Sequence, residues 1–412
     1  MKRKSLQNNN VKGNHLFLKI VLGIILFTAI NSTMAQIGTA KEFTWDGISR
    51  EYIEYVPSTY NSNQPTAVLF MLHGLRDSME WKLEMSGMLP FADQYGWIII
   101  VPQALNASIS LMGQTIEIGS MWNAGMNISV MGMTLSPNSD VDDCGFLIGL
   151  LESVKESYNI HNDSVFFSGI SMGGFMCQRI AIEHSNVVNA IASVSGTIAN
   201  GISTSLPETA VDIMHIHGTN DNVVTYDGAD FSFEPFGTFN IGLSAEATVE
   251  YWRNVNQCNS EPRSYVYHNT KDDGFTFERY DYNSSTNNNR VAFIKVINGE
   301  HDWYGDTELY DIGYANEIQK FFRGEQPTNV GIENVSNIKC KIYPNPASDI
   351  VNITSKQNIN KVELYNTAGA LVSSTQATNN ICKINVNTLK PGIYLARIYT
   401  EKGISTNKIV IK

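Results

Sequence analysis

Beyond its N-terminal end, this sequence is short of charge, of cysteine and of long apolar runs. Only 17% of its 412 residues are Asp, Glu, Lys or Arg while 43% are hydrophobic, which excludes a charge-rich disordered chain. Positive charge is not in excess. Against 29 Lys and Arg stand 40 Asp and Glu, a net of -11, so nucleic acid is not an expected partner. No stretch after residue 35 reaches the ~18 consecutive apolar residues of a spanning helix, and no stable membrane span is expected. The five cysteines are Cys144, Cys177, Cys258, Cys340 and Cys382. They show no zinc-type spacing, so no metal and no other cofactor is implied. Cys340 and Cys382 can pair, whereas three cysteines in the main body leave at least one thiol free.

Charge divides the chain into three segments. Residues 1–35 hold five basic and no acidic groups, and 339–412 hold ten basic and three acidic. The middle, 36–338, therefore has 29 − 5 − 10 = 14 basic and 40 − 3 = 37 acidic residues, a net of -23. The first segment reads as an export signal. Lys2, Arg3, Lys4, Lys12 and Lys19 precede an 11-residue apolar run from Ile20 to Ile30, too short to span a bilayer. Thr33-Met34-Ala35-Gln36 follows, with small residues at -3 and -1 of a cut after Ala35.

The middle segment alternates strand and helix patterns. The runs 67–72 and 97–101 are apolar at every position, as strands buried on both faces of a parallel sheet must be. An extended pattern runs from about 45 to 60, and further strands are expected at 164–170, 190–194, 211–217 and 291–297. Helices are expected at 142–158, 173–184, 245–255 and 312–322. This order predicts an α/β fold with a mainly parallel sheet and flanking helices. Residues 105–140 interrupt the order with a long Gly-, Ser- and Asn-rich loop carrying five methionines, and a loop of that length is more often functional than idle.

The chemistry falls at strand ends. Gly169-Ile170-Ser171-Met172-Gly173 fits G-x-S-x-G between an apolar strand and a helix, the context that the motif requires. A serine hydroxyl is a weak nucleophile and needs a base that an acid holds in place. In the chain order Ser, acid, His, Asp221 follows the strand 211–217 and His301 follows 291–297. Glu300 and Asp302 flank His301 too closely to turn back on its ring, and Asp306 is a possible substitute acid. His215 and His217 lie on one strand face, but no further ligand completes a metal site, so His217 reads as a support. The backbone N–H groups of Met172 and Leu75, the latter after His73-Gly74 at the exit of the first apolar strand, are candidates for an oxyanion hole. Trp122, Trp303 and the methionine-rich loop are candidate walls of an apolar substrate cleft.

The motifs His73-Gly74-Leu75, Trp122-Asn123-Ala124-Gly125, Val141-Asp142-Asp143-Cys144-Gly145-Phe146, the serine motif, His217-Gly218-Thr219-Asn220-Asp221 and Gly299-Glu300-His301-Asp302-Trp303 occur in family order. Together they resemble the secreted polyhydroxybutyrate-depolymerase-like esterases, related to feruloyl and acetylxylan esterases. The resemblance covers roughly 40–325. It implies an α/β-hydrolase fold, Ser171, Asp221 and His301 as the catalytic set, and hydrolysis of a polysaccharide or polyester ester. The alternatives are a poly(3-hydroxybutyrate) depolymerase, a peptidase, or a binding protein without activity. Two departures stand out: Met126 and Asn127 replace cysteines common after the Trp-Asn-Ala-Gly motif, and Tyr304 replaces a proline.

Beyond a polar linker at 324–338, residues 339–412 alternate in the strand manner, with turns at Ala368-Gly369 and Pro391-Gly392. A small C-terminal antiparallel β-sandwich is expected. Tyr343-Pro344-Asn345-Pro346, Leu389-Lys390-Pro391-Gly392-Ile393-Tyr394 and the end of the chain resemble the type IX secretion C-terminal sorting domain. That resemblance implies the secretion machinery as a partner and a secreted or surface-attached product that passes the periplasm. A sugar-binding module is the weaker reading, because tryptophan is absent from this segment. The expected organisation is a signal peptide at 1–35, a catalytic domain at 36–323, a linker at 324–338 and a sorting domain at 339–412.

Overall fold

The computed structural model describes residues 38–111, 114–130, 132–233, 237–305, 307–328, 330–335, 340–366, 371–400 and 403–412. The export signal, Asp306 and the turn at Ala368-Gly369 lie outside the described residues.

The central element is an 11-stranded mixed sheet. In chain order its strands are β1 (Thr39–Trp45), β2 (Ile48–Tyr55), β3 (Thr66–Leu72), β4 (Ile98–Pro102), β5 (Ile160–Ile170), β6 (Ala190–Val194), β7 (Asp212–Gly218), β8 (Arg263–Tyr267), β9 (Thr276–Asn283), β10 (Arg290–Ile297) and β11 (Val330–Val335). In space they run β1-β2-β4-β3-β5-β6-β7-β10-β9-β8-β11. The six from β4 to β10 pair in parallel, while β2 and β9 join the block antiparallel at its two sides.

The continuous apolar runs have the cause the sequence implied. Successive side chains of a strand point to opposite faces. Val68, Phe70 and Leu72 enter one core with Ile98 and Ile100, and Ala67, Leu69 and Met71 enter the other with Ile99 and Val101. Each fully buried side chain of this size stabilises the fold by about 1.5–3 kcal/mol. Helices cover both faces. On the first lie α3 (Asp143–Ser157), α4 (Met172–Glu183) and α5 (Ala245–Val255); on the second lie α1 (Met79–Met85), α2 (Leu89–Tyr95) and α6 (Tyr314–Phe322).

The four expected helices and the seven expected strands are present, which fits the α/β-hydrolase class. Helices α1 and α2 were not expected, being only seven residues each. The 105–140 segment is not a plain loop. It folds into two hairpins, Asn106–Leu111 with Gln114–Ser120 and Ile128–Val130 with Met133–Leu135. The segment expected as a linker also differs, since β11 pairs along β8 and extends the sheet.

The C-terminal segment forms a three-stranded and a four-stranded antiparallel sheet. They enclose a separate core that includes Val351, Ile353, Val362, Leu364, Ile398 and Ile409. Cys340 and Cys382, which the sequence left open as a pair, are not bonded. All five cysteines are free, and Cys382 is packed in that core as a small hydrophobe.

One contact fixes how α4 meets the sheet. A Cβ on Gly173 would stand 2.3 Å from the Leu72 carbonyl oxygen and 2.7 Å from that of His73. Backbone lies on both sides, so neither side can yield. Gly173→Ala is expected to lower stability by about 2 kcal/mol or more, read as the urea midpoint. A midpoint equal to wild type would contradict this account of the packing.

Candidate active site

The exits of β3, β5, β7 and β10 lie at one edge of the parallel block, where an open α/β sheet forms its sites. Ser171 connects β5 to α4 with φ 54° and ψ −122°, a backbone conformation that a residue with a Cβ adopts only at a cost. The turn is held from both sides. The Ser171 N–H donates to the Val194 carbonyl at 2.8 Å, and the Ser171 carbonyl accepts from the Phe175 N–H at 3.0 Å. The N-terminus of α4, with its unsatisfied N–H groups and positive dipole end, begins at Met172.

The β3 exit comes close. A Cβ on Gly74 would lie 3.6 Å from the Ser171 Cβ, and Leu75, Ser171 and Met172 line one cavity. His73 sets this exit without facing the cavity. Its Nε2 accepts from the Ala104 N–H at 3.0 Å and contacts Gln103 Nε2 at 3.1 Å, so Nδ1 carries the proton and donates to the Gly74 carbonyl at 2.7 Å. Burial keeps this imidazole neutral, its pKa lowered to about 4.

Asp221 and His301 are brought together. His301 Nδ1 lies 2.8 Å from Asp221 Oδ2. Asp221 Oδ1 accepts from the Val223 and Val224 N–H groups at 2.9 and 2.8 Å. His217 Nε2 stands 3.3 Å from Oδ2 and 2.9 Å from the Val224 carbonyl. Because Nε2 faces an acceptor it is the protonated nitrogen; His217 Nδ1 then faces His215 Nε2 at 3.3 Å as acceptor. Burial by itself would raise the Asp221 pKa, but the bonds from His217 and His301 prevail and hold it well below the carboxylate range. His217 is therefore the support the sequence implied.

The two loops that carry Asp221 and His301 are tied along their backbones. The Thr219 N–H donates to the Val296 carbonyl at 2.9 Å and the Asn220 N–H to that of Gly299 at 2.8 Å. Asn298 N–H donates to Thr219 Oγ1 at 2.9 Å. A Cβ on Gly218 would meet the Gly299 carbonyl oxygen at 2.3 Å, so only glycine permits this approach. Tyr304, where the family has proline, braces the same loop: its hydroxyl accepts from the Glu300 N–H at 2.8 Å.

The cavity beside Ser171 measures about 40 Å³. Besides Ser171, its wall is apolar: Leu75, Ile109, Ile118, Met121, Met126, Ile128, Pro137, Met172, Phe175, Val224, Phe231 and Ile241. The hairpins of the long insertion thus supply much of the wall, including two of its methionines. Asn127, the other departure from family pattern, exchanges two hydrogen bonds of 2.8 Å with Asn200.

The two expected tryptophan walls are a correction. Trp122 is fully buried, with its indole N–H donating to the His73 carbonyl at 3.0 Å. Trp303 is also buried and packs in the opposite core. Neither lines the cavity beside Ser171, and Trp122 supports the β3 exit through its bond to the His73 carbonyl.

Two features escaped the sequence reading. Arg50 and Asp143 form a buried ion pair at 2.6 Å, and the second Asp143 oxygen accepts from the Asn123 N–H at 2.7 Å. Asp143 therefore fastens the Trp-Asn-Ala-Gly segment, while Asp142 caps α3. Lys82 is 1% exposed, and its ammonium stands 3.5 Å from the centroid of the Trp303 ring. No carboxylate lies within ion-pair distance of it among the described residues. Burial lowers its pKa to about 7, opposed by the charges of Cys177 and Asp77. A single lysine in a stretch of no clear period gives no hint of this in sequence.

The mainly parallel sheet with helices on both faces and a serine turn at a strand exit has the α/β-hydrolase fold. Residues 57–240 match the phospholipase/carboxylesterase family model, a span that holds Ser171 and Asp221 but ends before His301. Residues 341–412 match the secretion system C-terminal sorting domain. Among relatives, a bifunctional acetylxylan esterase/xylanase of Neocallimastix patriciarum is 27% identical over 180 residues, 44% of this chain and 22% of that protein. Feruloyl esterase D of Neurospora crassa is 28% identical over 193 residues, 43% of this chain and 56% of that protein. The chain thus spans between a fifth and somewhat over half of the length of these relatives. The acetyl xylan esterase structure from Aspergillus awamori aligns with TM-score 0.45 at 13% identity, over 69% of this chain and 99% of that one.

Two pH dependences follow from the buried charges. Asp221 has a lowered folded pKa, so its contribution to stability is present above the unfolded value of about 3.9 and is lost as pH falls through the folded value. The stability gap between wild type and Asp221→Asn is expected to be open at pH 6 and to narrow below about pH 4. A gap constant with pH in thermal unfolding would exclude the linkage. Lys82 works the other way. Between about 7 and 10.5 the folded chain has released a proton that the unfolded chain still binds, so this group makes stability rise with pH. Lys82→Met should therefore raise stability more at pH 6 than at pH 10, by about a few kcal/mol at most, read as a larger rise in Tm at pH 6; an equal shift at both would refute the depressed pKa.

Proposed function

We propose that this chain is an exported serine carboxylic ester hydrolase, with the hydrolase unit and the sorting domain as separable parts. The observation that carries the reading is the His301–Asp221 bond at the same sheet edge as a strained serine turn facing an apolar cavity. Ser171 Oγ attacks the ester carbonyl while His301 Nε2 takes its proton. Asp221 holds the Nδ1–H and favours the imidazolium that forms. The N–H groups of Met172 and Leu75 stabilise the oxyanion, which collapses as the protonated alcohol leaves. Water, activated by the same histidine, then releases the acid from Ser171.

The cavity favours a short aliphatic acyl group such as acetyl. At about 40 Å³ it admits a few non-hydrogen atoms. A feruloyl group brings an aromatic ring and a phenolic hydroxyl, and a hydroxyl buried against these side chains would lose its hydrogen bond to water at a cost of about 1–3 kcal/mol. Polysaccharide acetyl esters therefore fit better than feruloyl esters or a hydroxybutyrate polyester. The sorting domain supports secretion or attachment at the cell surface by the type IX route.

Purified protein is expected to hydrolyse p-nitrophenyl acetate and acetylated xylan with kcat/KM at least about tenfold above methyl ferulate. Ser171→Ala should lower kcat by about 10³-fold or more. Equal turnover by wild type and Ser171→Ala would remove the nucleophile; a preference for methyl ferulate would overturn the acyl assignment while leaving the esterase reading in place.

A further inference from the structure

Away from the candidate active site, α3 and α4 lie on the same face of the sheet. Cys144 sits in the first turn of α3, Glu183 is the last residue of α4, and His184 is the residue that caps it. The Cys144 sulfur, a Glu183 carboxylate oxygen and a His184 ring nitrogen all lie within 4.8 Å of one another. Ligand atoms bound to one zinc ion stand roughly 3–4 Å apart, so side-chain rotation alone closes the difference.

The donor set is selective. Thiolate with imidazole suits zinc and its neighbours, whereas magnesium and calcium take oxygen ligands. Burial differs among the three in a useful way. Cys144 is 4% exposed, while Glu183 is exposed and His184 half-buried, so the thiol approaches from the protein side and water has access from the other. The His184 ring makes no hydrogen bond among the described residues. Arg179 opposes the ion: its Nε holds Glu183 Oε1 at 2.8 Å. The second carboxylate oxygen remains, and thiolate plus carboxylate bring two negative charges against one guanidinium.

We propose that Cys144, Glu183 and His184 form a zinc-class metal site that clasps α3 to α4, with water as fourth ligand. The site stands at the opposite end of α4 from Ser171, and a helix of 12 residues is about 18 Å long. Its role is to stabilise the helix pair and not to take part in hydrolysis.

Cobalt(II) added to the reduced, full-length protein tests this directly. The expected result is a near-ultraviolet thiolate-to-cobalt band and tetrahedral visible bands, saturating at a single cobalt per chain and removed by zinc. Cys144→Ser abolishes the band, and His184→Gln, a surface change that leaves the core untouched, weakens binding at least about tenfold. Zinc raises Tm in wild type and not in Cys144→Ser, while hydrolysis of p-nitrophenyl acetate is the same in both. Absence of a thiolate band, or a band that persists in Cys144→Ser, overturns the proposal. So does a zinc-induced rise in Tm that His184→Gln leaves intact.

Discussion

The edge that holds the candidate site depends on the approach of the first turn of α4 to the exit of β3. Gly173 lies against the Leu72 and His73 carbonyls with no room for a Cβ, and Gly169 lies against Gly173 with its own Cβ position 2.4 Å from the Gly173 carbonyl carbon. This backbone-on-backbone packing forces the strand-to-helix link into a single residue, Ser171, at φ 54°. It also draws Leu75 to the same cavity. Ser171, the helix N-terminus and the Leu75 backbone are therefore one mechanical unit. The strain at Ser171 persists because buried strands on both sides, β3 and β6, leave the turn no other path.

A second unit lies at the same edge of the sheet. Asp221 is buried, and a buried carboxylate is tolerated only if its charge is met by donors. Two backbone N–H groups and two imidazoles meet it. The consequence is that His301 is oriented by the same bonds that make Asp221 tolerable in the core. His217 has the complementary role: it fills the lone-pair direction that His301 leaves and links the acid to the strand below. The ladder between residues 218–220 and 296–299 then makes the two loops move together.

Much of this was legible in the residues because the relevant signals are local. Continuous apolar runs with no polar interruption imply strands covered on both faces, and six parallel strands are so covered. G-x-S-x-G, Asp221 and His301 were legible because each follows directly on such a run. Where a residue's environment is built from distant segments, the sequence carried no sign of it. Trp122 and Trp303 looked like cleft walls because they neighbour motif residues, yet the core claims both. The insertion at 105–140 looked like a loop, since its strands are short and pair only with one another. Nothing around Lys82 signals its burial, and the linker contained a strand whose partner, β8, lies more than 60 residues earlier.

The amino-acid sequence by itself determined the order of elements, the layered fold class and the three residue types set at strand ends. These follow from hydrophobic period and turn chemistry, which act over a few residues. Tertiary structure alone decided which N–H groups and imidazoles meet the Asp221 charge, how large the cavity beside Ser171 is and which side chains stay dry. Those properties come from packing between segments far apart in the chain, where a gap or contact of one ångström changes the outcome and no local pattern records it.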